Sequence, residues 1–301
     1  MEIVFLGTGS MFPTKKRAHS SIFIRDEKIN FLFDCGEGTQ RQMRIAGVSP
    51  TKLDYIFLTH WHGDHSLGLA GIIQSLSASQ RKRKLIIYGP EGTNVRVNNL
   101  LKVFSFDLRY PIEVNEIKIK EGKIYRIIDE KGFAFEAMPV KHNVPCINYA
   151  YIKKGKRKIN LSYTKKFGLV RNKILGKLQK GETIVYKGHK ITPEKGTYLT
   201  PDKRIAYITD TSYFKGLEKL AKNAELLISE GTFSEDLGTK AWEYTHMTAK
   251  EAAMIAKNAK AKRLILTHFS QRYKNTEPLV KEAKKIFKNV EAANDFDKIT
   301  L

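Results

Sequence analysis

The chain has 301 residues of which 42% are hydrophobic, enough to bury a sizeable core in one domain or in one domain with an appendage. Two cysteines exclude a disulfide scaffold. The start Met1-Glu2-Ile3-Val4-Phe5-Leu6-Gly7 lacks the basic and apolar regions of a signal peptide, and no apolar run approaches the ~18 residues of a membrane span, so a soluble, cytoplasmic protein is expected. A formal net charge of +22 asks for a polyanionic partner; an anionic membrane surface or a solvated lysine-rich exterior, as in proteins from hot environments, are the alternatives.

In chain order, short apolar runs bounded by turn residues predict strands at residues 1–6, 21–25, 30–33, 55–58 and 84–88. Residues 66–80 and 91–103 have the length and periodicity of helices. Residues 153–195 follow a different rule. They hold fourteen Lys and Arg against only Glu182 and Glu194, a surplus of twelve positive charges in about a seventh of the chain. Their apolar residues look too thin and scattered for a core, so an inserted arm is expected there, between residues 1–152 and 196–301 of a single domain. Tyr163, Phe167 and Tyr186 are too few to argue base stacking, which leaves phosphate contact as the expected task. Strands are predicted again at 204–208, 226–229 and 263–267, and helices at 248–258 and 276–287, the first opened by a Thr248/Glu251 capping-box pattern. Strands and helices interleave through both halves, which makes this an α/β chain.

Chemistry concentrates in Thr59-His60-Trp61-His62-Gly63-Asp64-His65, directly after the apolar run Tyr55-Ile56-Phe57-Leu58. Histidines two apart on an extended chain project to one side, so His60 and His62 can grip one ion. The turn at Gly63 swings Asp64 and His65 toward a second. His142, Asp210 and His268 stand where strands should stop, and Leu264-Ile265-Leu266-Thr267-His268 repeats the pattern of Ile56-Phe57-Leu58-Thr59-His60. Taken singly, His142 or His268 could be a satisfied core histidine and Asp210 a turn cap; with the Thr59 to His65 loop they read as ligands. Asp34 is a candidate outer partner for that loop, since metal-binding histidines require one. Gly7 and Gly9 complete no dinucleotide or phosphate-loop pattern, so no nucleotide cofactor is expected. His19 and His189 have no evident role.

The His60-x-His62-x-Asp64-His65 element resembles the signature of the metallo-β-lactamase superfamily. Residues 5–10, 33–42, 59–71, 139–149, 209–211, 229–233, 246–252 and 266–273 resemble its ribonuclease Z branch, with 33–42 and 246–252 the most specific. The resemblance implies an αββα sandwich with a protruding basic arm, and an endonuclease that trims the 3′ trailer from precursor tRNA. It implies two zinc ions per subunit, with other divalent metals as alternatives: His60, His62 and His142 on one, Asp64, His65 and His268 on the other, Asp210 bridging. Asp64 would also align the attacking water, and His246 would be the general acid, oriented by Glu230. Lys15 and Arg17 would touch the substrate's 3′ end, Lys173 and Lys177 the body of the tRNA, and the chain would form a homodimer. The sequence departs from the branch at Ala18, where Asn is usual, at Asn172-Lys173, where Gly-Pro is common, and at Ser229 and Met247, where His and Ser are frequent. Two other functions compete: a hydrolase of a small phosphodiester or thioester, which has no need of a remote clamp, and a noncatalytic RNA-binding protein, which has no need of a full ligand set.

Overall fold

The computed structural model describes residues 1–27, 29–105, 107–118 and 122–301. Seven strands form one sheet in the order Lys298–Thr300, Glu2–Gly7, Ser21–Asp26, Ile29–Phe33, Tyr55–Phe57, Leu85–Pro90 and Ile112–Ile117. Side chains alternate across a strand. Leu32 and Ile56 therefore point to one face, where they join Met43, Leu69, Ile72, Leu76 and Val97 of the helices Thr39–Ile45, Leu69–Ala78 and Thr93–Val103. Phe31, Phe33 and Phe57 point to the other face and meet the second sheet: Phe57 stacks on Phe135 at 4.3 Å between centroids, and Phe33 on Tyr207 at 5.4 Å. Truncating a ring such as Phe57 to alanine would cost about 3–5 kcal/mol.

The second sheet runs Val290–Ala292, Leu264–Thr267, Leu226–Glu230, Lys203–Ile208, Cys146–Lys153, Phe133–Val140 and Tyr125–Asp129. Helices Ala249–Asn258 and Glu277–Lys284 pack on its outer side. The first of them opens with the expected capping box: the Thr248 hydroxyl accepts the Glu251 N–H, and the Glu251 carboxylate accepts that of Thr248 at 2.8 Å. Helix, two sheets and helix make the α/β sandwich that the resemblance implies.

One predicted element changes, and strands between residues 112 and 153 join those expected. The helix expected over 66–80 is two, Gly63–Ser66 and Leu69–Ala78. They part at Gly68, where a Cβ would lie 2.1 Å from the Gly36 carbonyl oxygen, so that the chain can close on Cys35 through a Gly68 N–H bond of 2.9 Å to its carbonyl. The strands of residues 112–153 carry polar residues such as Glu136 and Asn148 that break the apolar runs used to find strands. Both are buried here because they have partners: Arg126 and Arg204 on Glu136, and the Thr209 backbone on Asn148.

Packing divides the chain into two compact units. The larger comprises Met1–Ile127, Phe135–Tyr151 and Arg204–Leu301; the smaller comprises Ile128–Ala134 and Ile152–Lys203. In the smaller unit, Arg157–Ile159 pairs with Thr197–Leu199 and Ile184–Tyr186 with His189–Ile191. The expectation that this stretch cannot build a core needs correction. Leu169, Leu178, Ile184 and Ile191 are buried together, with Ile159, Tyr163, Phe167 and Leu175 against them. Residues scattered in sequence gather because the hairpin and the short helix Leu175–Gln179 each present an apolar side. No helix among the described residues is long and apolar enough to cross a membrane.

Candidate metal centre

The site lies at strand ends of the larger unit. In the second sheet Lys203–Ile208, Leu226–Glu230 and Leu264–Thr267 are parallel neighbours, so Asp210, Glu230 and His268 emerge along one edge. In the first sheet Ile29–Phe33 and Tyr55–Phe57 are parallel as well and deliver Asp34 and His60. Asp34, Asp210 and His268 take φ values of 58°, 51° and 56°, a left-handed conformation that side chains enter rarely. That turn ends each strand and re-aims its side chain.

All seven ligands expected from the sequence come together. His60, His62 and His142 form one cluster and Asp64, His65 and His268 another, each within 4.8 Å of its own members. The His142 Nε2 lies 3.3 Å from His62 Nδ1, and His65 Nε2 lies 3.1 Å from His268 Nε2. Asp210 reaches both groups: its Oδ2 is 3.2 Å from His65 Nε2, and its Oδ1 is 3.9 Å from His60 Nε2. Beside them His246 Nδ1 donates to Glu230 Oε2 at 3.0 Å.

The donor chemistry fits divalent cations. His65 Nδ1 faces Asp34 Oδ2 at 2.8 Å, His268 Nδ1 faces the Thr232 hydroxyl at 3.0 Å, and His142 Nδ1 faces the Thr245 hydroxyl at 2.7 Å. Protons on Nδ1 leave Nε2 lone pairs converging on one another, an arrangement that repels unless a cation sits among them. His60 Nε2 is buried with no hydrogen-bond partner. The cluster calls for positive charge, from a cation or from protonated rings. Burial would raise the carboxyl of Asp210, but His268, His65 and His60 hold it well below its ordinary value; His65 and His268 do the same to Asp64. Burial acts against a charged His246, yet Glu230, Asp210 and Asp64 win and set it at about 9.

Asp34 stands where an outer partner of the Thr59 to His65 loop was expected, and the other supporting contacts had no signal in the sequence. The carboxylate of Asp34 accepts the Thr59 N–H and hydroxyl, the His65 ring and the Tyr207 hydroxyl, all buried. His19, which had no evident role, bonds the Met11 carbonyl through Nε2 at 3.1 Å, and the Met11 N–H donates to Asp64 Oδ2 at 2.8 Å. A cavity of about 280 Å³ beside His246 is lined by Met11, Phe12, Phe233, Lys240, Tyr244 and Arg272. Of the residues expected to touch substrate, Lys15, Lys173 and Lys177 are exposed. Arg17 is not: its guanidinium turns inward, donates to Thr8 Oγ1 at 2.7 Å and the Ala293 carbonyl at 3.0 Å, and lies over the Phe269 ring. Lys173 and Lys177 belong to the smaller unit.

Residues 1–152 match the family described as anti-Pycsar protein Apyc1, and residues 190–269 match the beta-lactamase superfamily domain. The chain is similar to the ribonuclease Z of Methanothermobacter thermautotrophicus, 40% identical over 98% of this chain and 95% of that protein. It is equally similar to the ribonuclease Z of Archaeoglobus fulgidus, 40% identical over 98% and 96%. Among solved structures, the short form of human tRNase Z superposes with a TM-score of 0.75 at 27% identity, covering 100% of this chain and 99% of that one. The metallo-beta-lactamase fold protein YhfI of Bacillus subtilis, at 21% identity, TM-score 0.69 and 99% and 98% coverage, shares the fold. With its strand-end histidines and carboxylates in place and relatives of this identity along nearly its whole length, the chain belongs to the ribonuclease Z family.

Proposed function

We propose that this chain cuts precursor tRNA at the start of its 3′ trailer, as a zinc-dependent endoribonuclease that leaves a 3′-hydroxyl on the tRNA and a 5′-phosphate on the trailer. The observation that carries this reading is the convergence of five histidines and two carboxylates beside a His246–Glu230 pair, in a chain of this family. The donor set suits two zinc ions per subunit, with His60, His62 and His142 on one, Asp64, His65 and His268 on the other, and Asp210 offering an oxygen to each. Such a pair supplies an activated nucleophile at neutral pH and offsets charge on the phosphoryl oxygens.

The protein's own groups then divide the work. Asp64, oriented by the Met11 N–H, accepts a hydrogen bond from the attacking water and aligns it toward phosphorus. The ribose 3′-oxygen is a poor leaving group unless protonated. His246 has its Nδ1 committed to Glu230, so the proton departs from Nε2 to that oxygen, and the negative Glu230 keeps the ring charged until then. The adjoining cavity offers aromatic faces at Phe12, Phe233 and Tyr244 and cations at Lys240 and Arg272, a fitting seat for the nucleotide flanking the cut. Residues 153–195 act as the basic arm, with Lys173 and Lys177 on phosphates of the tRNA body, while Lys15 meets the 3′ end. The active form is a cytoplasmic homodimer.

Incubating the zinc-loaded protein with a 3′-extended tRNA transcript, and mapping both ends of the cut, tests the reading. Release of an intact trailer with a 5′-phosphate is expected. Hydrolysis of a small phosphodiester with the precursor left whole would replace it with a small-molecule hydrolase, and inactivity on both with a binding protein.

A further inference from the structure

The two sheets hold their buried carboxylates in matching ways. In the first, Asp34 bonds one histidine directly, His65 Nδ1 at 2.8 Å, and reaches a second through a threonine: Thr59 Oγ1 lies 2.9 Å from Asp34 Oδ1 and 3.0 Å from His60 Nδ1. In the second, Glu230 bonds His246 Nδ1 directly at 3.0 Å and reaches His268 through Thr232, whose Oγ1 lies 2.6 Å from Glu230 Oε2 and 3.0 Å from His268 Nδ1. Both carboxylates, both threonines and both threonine-linked histidines are buried.

A hydroxyl has one proton to give. Thr232 Oγ1 also lies 2.9 Å from the His268 carbonyl, but the charged oxygen at 2.6 Å takes the proton; otherwise two unprotonated oxygens would be pressed together with one of them negative. The same holds for Thr59 against Asp34. Each threonine then has only a lone pair left for its histidine, and that histidine must present Nδ1–H. Its Nε2 is therefore a bare lone pair aimed into the site.

We infer that Thr59 and Thr232 are positioning residues: each relays the charge of a buried carboxylate to a metal-ligand histidine, fixing His60 and His268 as Nδ1–H tautomers that bind metal through Nε2. Glu230 thereby serves two masters, the proton donor and the metal site. This rests on the ligand assignment proposed above and adds to it how two of those ligands are kept ready.

Zinc titration of the metal-stripped full-length protein against a competing chelator tests the relay. Thr59→Val and Thr232→Val keep shape but delete the hydroxyl, and each should weaken zinc binding by about 10–100-fold, the usual effect of removing an outer partner of a ligand. Thr59→Ser and Thr232→Ser should restore it. A merely structural threonine would lower the melting temperature of the metal-free protein and leave zinc affinity unmoved, which would overturn the relay. His268→Ala separates the two levels: if it binds zinc normally, the ligand assignment falls; if it is weakened while Thr232→Val is not, only the relay falls. Should the valine variants fail to fold, imidazole ¹⁵N spectra of the zinc-loaded wild-type protein decide. Protons on Nδ1 of His60 and His268 are expected, and protons on Nε2 overturn the proposal.

Discussion

The two compact units solve opposite problems. In the larger one, charged and polar groups are driven inside: Asp34, His60, His65, Asp210, Glu230 and His268 are all at most 2% exposed, each held by a neighbour or left facing another ligand. Dozens of packed aliphatic and aromatic side chains stabilise the scaffold that keeps them there. In the smaller unit the buried cluster around Leu169, Leu178, Ile184 and Ile191 is modest, and Lys165, Lys166, Lys173, Lys177 and Lys180 face solvent. Fully buried apolar side chains contribute about 1.5–3 kcal/mol each, so a core of this size holds a shape but cannot absorb the desolvation of charge. The comparison teaches that chemistry needs fixed, dehydrated groups on a deep core, whereas attraction to a polyanion needs only hydrated cations on a light frame.

The sharpest way to break this division is at Asp210, which touches both ligand clusters. Asp210→Ala should abolish cleavage of precursor tRNA and small phosphodiesters alike and lower metal content more than losing any outer ligand. Metal analysis showing two ions per subunit together with normal turnover would remove it from the centre. Next in size is His246→Ala, expected to slow precursor cleavage by about 10²–10⁴-fold with metal content and tRNA affinity near normal. The loss should shrink for an ester whose leaving group is stable as an anion. Equal losses on both substrates would show that His246 acts on a step they share.

Removing residues 156–200 tests the other side of the comparison. Its ends already meet through a 3.0 Å bond from the Thr200 N–H to the Lys156 carbonyl, so a short closure should suffice. Binding of precursor tRNA should weaken and its salt dependence flatten, while a chromogenic phosphodiester is still hydrolysed. Loss of both activities together would mean that the smaller unit supports the catalytic centre. The smallest effects separate single cations. Lys177→Ala should reduce the log–log salt slope by about 0.7–0.9, one phosphate contact, without changing thermal stability. Arg17→Ala should do the reverse, lowering the melting temperature because it empties the bonds to Thr8 and Ala293, with the slope intact. A salt slope that falls in Arg17→Ala would return that residue to the substrate.

What could be read from the chain depended on how local the cause was. The Thr248/Glu251 capping box, the strand ending before His60 and the paired projection of His60 and His62 are set within a few residues, and each is where the pattern placed it. Between residues 112 and 153 only the strand end before His142 was expected; in the strands Phe133–Val140 and Cys146–Lys153, Glu136 and Asn148 interrupt the apolar runs and find partners, Arg204 and Thr209, far away in sequence. The inward turn of Arg17 was illegible for the same reason: a basic residue in a polar loop reads as exposed, and only the arrival of Ala293 and Phe269 buries it.

By itself, then, the sequence determined the periodicities of strands and helices, the local ligand motif and the place where positive charge accumulates, because each follows from side-chain spacing or plain composition. The tertiary structure decided the rest: that His142 and His62 meet across 80 residues, that Asp210 lies between two histidine clusters, that His19 steadies Asp64 through Met11, and that Thr232 joins Glu230 to His268. The physical reason is that tautomer, burial and lone-pair direction are set by whichever group lies within about 3 Å, and folding alone chooses that neighbour.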